Sequence, residues 1–233
     1  MNRPGAPGSK ETDRRMRRIS RRAGLAAALL SPALLAGAMP LAARAQGTDI
    51  ARASAFIQRT GQDLVAAIND PRMPLGERRE RIAAVLRQAV DIQGVGRFIL
   101  GRWWRQATPA EQQEYLRLFE ETLIRNLSAR FGEYQGVRFS LGRTQQRTED
   151  DVLVNTLIER PNSAAFALDW RVAEVGGQPR IVDVIAEGTS LRLTQRSEYS
   201  SVIQRNGNQV SALLAAMRQQ IQQLAAREAG GTR

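Results

Sequence analysis

The feature that most restricts how this chain can fold is a change of hydrophobic period at Gly136. Upstream, apolar residues recur at the 3.6-residue spacing of amphipathic helices; downstream they fall at every second position, as in strands with one buried face. Val137, Phe139 and Leu141 alternate with polar residues, and Val152 to Ile158 is richer in apolar residues on both sides. Phe166, Leu168, Trp170 and Val172 alternate again, and Ile181 to Ile185 closes the series. Strands that follow one another through short turns predict an antiparallel meander, because a doubly wound parallel sheet needs a helix between successive strands. Gly176-Gly177-Gln178-Pro179 reads as a hairpin connection. Charge complementarity suggests a register in which Glu174 meets Arg180, Arg171 meets Asp183, Val172 meets Val182 and Trp170 meets Val184.

Helices flank this block. Phe56, Ile57, Leu64 and Ile68 give helical spacing from Asp49 to Asp70, where Asp70-Pro71 ends the pattern. A second helix after Pro74 puts Leu75, Ile82, Val85, Leu86 and Val90 on one side. Asp91 to Arg105 is irregular: Val95, Phe98, Ile99, Leu100, Trp103 and Trp104 stand among glycines, which predicts short helical pieces packed closely. Thr108-Pro109-Ala110-Glu111 is a capping signal, with Thr as cap, Pro at the first helical position and Glu reaching back. The helix it opens carries a stripe of Tyr115, Leu118, Phe119, Leu123, Leu127 and Phe131. Leu191 to Ile203 and Val210 to Leu224 complete the chain as helices separated by Asn206-Gly207-Asn208.

Composition removes most enzymatic chemistry. The chain has 0 Cys and 0 His, so disulfides, thiolate nucleophiles, a lipidated cysteine, Cys-ligated metals and the usual imidazole base are all excluded. The net charge of +11 suggests nucleic acid until it is divided. Residues 1–45 hold nine of the 34 Lys and Arg but two of the 23 Asp and Glu, which leaves the remainder at +4. All of its cations are Arg, which points to composition bias and to no nucleic-acid partner. The basic segment reads as a secretory leader: Arg14-Arg15-Met16-Arg17-Arg18, an apolar run from Ala23 to Ala38, and Ala43-Arg44-Ala45 before cleavage at Gln46. Ser20-Arg21-Arg22-Ala23-Gly24-Leu25 resembles a twin-arginine export motif, with the general route as the alternative. The expected organisation is a cleaved signal peptide over 1–45, one domain over 46–228 and a flexible tail over 229–233, working in the periplasm.

Three stretches carry a family likeness. Phe98-Ile99-Leu100-Gly101-Arg102-Trp103-Trp104-Arg105-Gln106-Ala107-Thr108-Pro109, Ala167-Leu168-Asp169-Trp170-Arg171 and Asp183-Val184-Ile185-Ala186-Glu187-Gly188-Thr189-Ser190-Leu191 resemble, in order and spacing, the signatures of the MlaC family. These are periplasmic phospholipid-binding proteins, also called toluene-tolerance auxiliary proteins, and the likeness runs from about residue 49 to 226. It implies a carrier that passes phospholipid between an outer-membrane MlaA-type lipoprotein complex and an inner-membrane ABC transporter complex with an MlaD-type ring. Trp103 and Trp104 stand where the family commonly has Tyr or Phe, a change that would narrow or reshape a lipid cavity.

The residues support such a role on physical grounds. A carrier must shield acyl chains whose exposure costs about 0.8 kcal/mol per methylene, so it needs more apolar lining than its own core consumes. The expected class is thus α+β: a twisted four-stranded antiparallel sheet packed against several helices, with an apolar cavity between sheet and helices. The expected lining combines Phe98, Leu100, Trp103, Trp104, Tyr115, Phe119, Leu123 and Leu127 with Phe166, Leu168, Trp170, Val172, Val182, Val184, Leu191 and Tyr199. No catalytic residue, metal ligand or cofactor is assigned. The bland reading makes Phe119, Leu123, Leu127 and Phe166 ordinary core, and Asp169 and Asp183 parts of a charged sheet face. Two rivals remain: a carrier for another lipid such as a hopanoid, and a cavity-containing isomerase in which Asp183 acts with Tyr115 or Tyr199.

Overall fold

The computed structural model describes residues 41–128, 135–161 and 163–230. The expected leader up to residue 40, Phe131 and residues 231–233 lie outside the described residues. The described chain is α+β. Four helices come first, α1 (Leu41–Asn69), α2 (Leu75–Ala89), α3 (Ile92–Leu100) and α4 (Pro109–Ser128), with a 3-10 turn over Gly101–Arg105 between the last two. Strands β1 (Arg138–Gln146), β2 (Asp151–Glu159), β3 (Phe166–Val175), β4 (Gln178–Ala186) and β5 (Thr189–Ser190) follow, then α5 (Leu191–Arg205) and α6 (Val210–Gly230). Helix α1 begins upstream of the expected Asp49, and α6 reaches Gly230, past the expected start of the tail.

Local chemistry accounts for the boundaries. At α4 the amide of Thr108 donates to Glu111 Oε2 at 2.9 Å, and the Glu111 amide donates to Thr108 Oγ1 at 3.2 Å, a reciprocal capping box. Asp91 caps α3 by accepting from the Gly94 amide at 3.0 Å. Ser190 caps α5, accepting from the Leu193 amide at 3.2 Å.

The strands form one antiparallel meander in the order β1-β2-β3-β4-β5. The expected sheet has one strand fewer, because the residues after β4 read as a plain turn into a helix. Glu187 and Gly188 instead take positive φ, +51° and +78°, and fold the chain back so that Ala186 pairs with Thr189. The expected register at the β3–β4 hairpin holds at its open end, where Trp170 opposes Val184 and Arg171 opposes Asp183. It fails nearer the turn: Val172 faces Ile181 rather than Val182, and Glu174 faces Pro179 rather than Arg180. The reason is steric. Gly176 and Gly177, at φ +59° and +75°, make a two-residue turn that pairs Val175 with Gln178, one step out of register with Trp170 and Val184. A bulge at Val182 absorbs the difference and lets Ile181 and Val184 point to the same face.

Buried side chains gather in three clusters. The largest, of Ile99, Leu100, Trp103, Tyr115, Leu118, Phe119, Tyr199, Ile203, Leu213, Leu214 and Met217 among others, joins α3, α4, α5 and α6. A second joins α1, α2 and α4 around Ala67, Ile82 and Ile124. The third presses Ala53 and Ile57 of α1 and Ala89 of α2 onto Val152, Val154, Val172 and Ile181 of the sheet. Among the described residues no helix is long and apolar enough to cross a membrane.

Candidate functional site: an apolar cavity between the first helix and the sheet

Helix α1 lies across the sheet and does not close on it completely. Ile57, Thr60, Gly61, Leu64, Val65 and Ile68 face a cavity of about 360 Å³ whose other wall is Phe139, Thr156, Ile158, Phe166, Leu168, Trp170, Ile181, Val184 and Ala186. Leu127, Val137 and Leu191 complete its edge. The gap follows from residue size. Thr60 and Gly61 occupy the middle of the helix face, where larger side chains would fill the space. A Cβ on Gly61 would stand 2.4 Å from the Phe139 ring, so the ring already packs against bare backbone there.

The lining holds no titratable side chain. Two of its polar side chains answer each other: Trp170 Nε1 donates to Thr156 Oγ1 at 2.8 Å, and Thr156 Oγ1 donates to the Leu168 carbonyl at 3.4 Å. What remains toward the space is hydrocarbon and aromatic surface. The cavity opens beside the start of α5, where Leu191 both lines it and stands 49% exposed.

A buried anionic clasp holds this edge. Asp183, turned to the other face of β4, accepts from Ser190 Oγ at 2.6 Å, from the Val184 amide at 2.9 Å and from the Arg192 amide at 3.2 Å. Its Oδ2 lies 3.2 Å from Arg192 Nε. Desolvation by burial raises its pKa, and the hydrogen bonds from Ser190 and Val184 and the cations Arg171 and Arg147 oppose the rise. The expected cross-strand ion pair with Arg171 does not form, since Arg171 Nε donates to Asp151 Oδ2 at 2.7 Å. The Arg192 guanidinium also lies over the Phe98 ring, 4.2 Å from its centroid.

Of the residues expected to line a cavity, the structure brings Leu127, Phe166, Leu168, Trp170, Val184 and Leu191 to it. Leu100, Trp103, Tyr115, Phe119 and Tyr199 are buried in the helical cluster, with Phe98 and Trp104 packed against it. Leu123 packs on the α1–α2–α4 cluster, Val172 is buried in the cluster with Ala53 and Ile57 of α1, and Val182 sits in the bulge. The correction has one physical cause: the aromatic stripe of α4 serves helix–helix packing, and α1 is the helix that covers the sheet. Tyr115 illustrates this, donating its hydroxyl to the Gly96 carbonyl at 3.0 Å and stacking on Phe119 at 6.0 Å. Trp103 turns inward, its Nε1 donating to Ser200 Oγ at 3.2 Å. Neither it nor Trp104 narrows the cavity. The contributions of α1, β1 and β2 were missed. The α1 signal was present as two small residues, Thr60 and Gly61, inside an otherwise apolar stripe.

Comparison with known proteins agrees with this fold. The toluene tolerance protein ttg2D of Pseudomonas putida is 22% identical over 125 residues, 53% of this chain and 58% of its own length, so the match spans rather over half of that relative. A solved phospholipid-binding protein from Ralstonia solanacearum, in complex with a phospholipid, superimposes with a TM-score of 0.67 at 24% identity, covering 74% of this chain and 98% of that one. The family model described as MlaC protein matches residues 58–219, a span that contains most of the cavity wall, and the chain belongs to the MlaC family.

Proposed function

We propose that this chain is a periplasmic carrier that holds phospholipid acyl chains in the cavity between α1 and the sheet. The observation that carries the reading is an apolar space of about 360 Å³ that the protein's own side chains leave unfilled. Protein interiors close-pack, so a gap of this volume is a place for a guest. Sheltering one ordinary acyl tail is worth roughly ten kcal/mol or more, enough to hold it against water. The headgroup stays outside, beyond Leu191, and needs no dedicated polar set. The phospholipid bound to the Ralstonia solanacearum protein supports the same ligand class.

On this reading residues 1–45 are the export leader and 46–228 the working domain. The carrier exchanges lipid with an outer-membrane MlaA-type lipoprotein complex and with an inner-membrane ABC transporter bearing an MlaD-type ring. The isomerase alternative needs an acid and a base facing the substrate. Asp183 is turned away and engaged by Ser190 and Arg192, while Tyr115 and Tyr199 belong to the helical core.

Mass spectrometry of protein purified without detergent tests the proposal. Two-chain phospholipid is the expected occupant; a polycyclic lipid would make the chain a carrier of a different cargo, and an empty cavity would overturn the reading. Leu168→Asp, which sets a carboxylate in the apolar wall, should abolish co-purified lipid in a variant that still folds. Undiminished occupancy would show that the lipid sits elsewhere.

A further inference from the structure

Among the described residues, several guanidinium groups are answered by carboxylates, including those of Arg52, Arg87, Arg125, Arg171 and Arg218. Along α3, the 3-10 turn and α5 the pattern differs. Arg97 lies over the Trp104 ring at 5.2 Å, Arg102 over Trp103 at 4.4 Å, and Arg196 over Phe98 at 5.0 Å. All three are exposed, and Arg196 also rests against Gly101, where an added Cβ would stand 3.0 Å from its guanidinium. Aromatic faces hold these cations in place without neutralising them.

Beside this patch the first turn of α5 presents Leu191 and Leu193, 49% and 55% exposed, two of the five large hydrophobic residues so exposed among the described residues. Leu191 is continuous with the cavity lining, and Arg192, between the two leucines, packs on the same Phe98 ring that Arg196 covers. Arginines seated on the Phe98 ring and two protruding leucines therefore lie together at the start of α5, and one of those leucines lines the cavity.

We propose that this face docks reversibly on an anionic lipid bilayer, with the arginines at the headgroup level and Leu191 and Leu193 dipping below it. The inference rests on the carrier reading and adds where the cargo crosses. A mouth pressed to the bilayer gives an acyl chain a continuous apolar path past Leu191, with no passage through water. An acidic protein surface would satisfy the arginines but would leave the two leucines without an apolar partner, so the combination favours lipid. Cations near an anionic membrane each contribute roughly a fivefold preference, and the attraction is screened by salt.

The test is sedimentation of the full chain with vesicles of phosphatidylglycerol and phosphatidylcholine, against vesicles of phosphatidylcholine alone. Binding should require the anionic lipid and weaken as salt is raised. Replacing Arg97, Arg102 and Arg196 together with Gln should weaken it about a hundredfold, and Leu193→Asn should weaken it further. Because all variants share the same N-terminal segment, equal binding by the triple variant would assign binding to that segment and overturn the proposal. Retention on polyglutamate without vesicle binding would assign the patch to an acidic protein and overturn it as well. Lipid co-purifying with each variant is measured separately: it should persist in the Gln variant, so failure of docking and failure of the carrier reading give different results.

Discussion

Single residues decide whether there is a cavity at all. Gly61 lies under the Phe139 ring, which packs into the volume a side chain there would take. Gly61→Leu should push the Phe139 ring toward the cavity and lower the lipid recovered per protein, with a net loss of stability in denaturant unfolding because the gain of about 1 kcal/mol in helix propensity offsets only part of the crowding. Asp183 acts at the mouth. Asp183→Ala leaves the half-buried Arg192 guanidinium without its carboxylate and frees the Ser190 hydroxyl, which should cost about 3 kcal/mol in denaturant unfolding. Its raised pKa also has a sign. The folded state holds the Asp183 proton more tightly than the unfolded chain, so this group's contribution to stability falls as pH rises from the ordinary carboxylate value toward the raised one. Urea midpoints measured across that acidic window should slope less steeply with pH in Asp183→Asn. At the other end of the scale, burial raises the phenol pKa of Tyr115 and of Tyr199 far above 10. Stability should therefore fall as pH climbs above the ordinary phenol value, and the phenolate absorbance of these two residues should appear only with unfolding.

At the level of elements, much of the architecture is readable from periodicity, and the errors have definable causes. The change of period at Gly136, the capping box at Thr108 and the cap at Ser190 all correspond to local physics that acts over three or four residues. The register of β3 on β4 does not, because two local demands conflict: the two-glycine turn sets one pairing, and Trp170 against Val184 sets another. No pairwise charge rule reveals that a bulge will reconcile them. The cavity wall was legible on the β3 side, where Phe166, Leu168 and Trp170 alternate, and illegible on the helix side. An aromatic stripe such as that of α4 announces burial but not its partner, whereas a helix that leaves room is marked by small residues that look unremarkable. The division of labour is testable. Thr108→Ala should cost about 1 kcal/mol by removing the α4 cap without altering co-purified lipid, because α4 gives the cavity edge only Leu127.

For the whole molecule, the helical cluster of α3, α4, α5 and α6 is a closed core, while the layer of α1 on the sheet is an open one. Cargo should stabilise the second more than the first. Ligand that binds only the folded state adds stability by mass action, so delipidated protein should melt at a lower temperature than protein as purified. That difference should vanish in Leu168→Asp. The Thr156–Trp170 hydrogen bond carries a final consequence. Lined by hydrocarbon and aromatic surface with no charged group, the cavity offers a guest little chemical query, mainly girth and depth. A receptacle of that kind sorts its contents as a sieve does, and an apolar pocket grades neighbouring tail lengths by only about 1–3 kcal/mol per methylene. Such a protein would grade acyl tails by their length and leave the choice of headgroup to whatever loads and empties it.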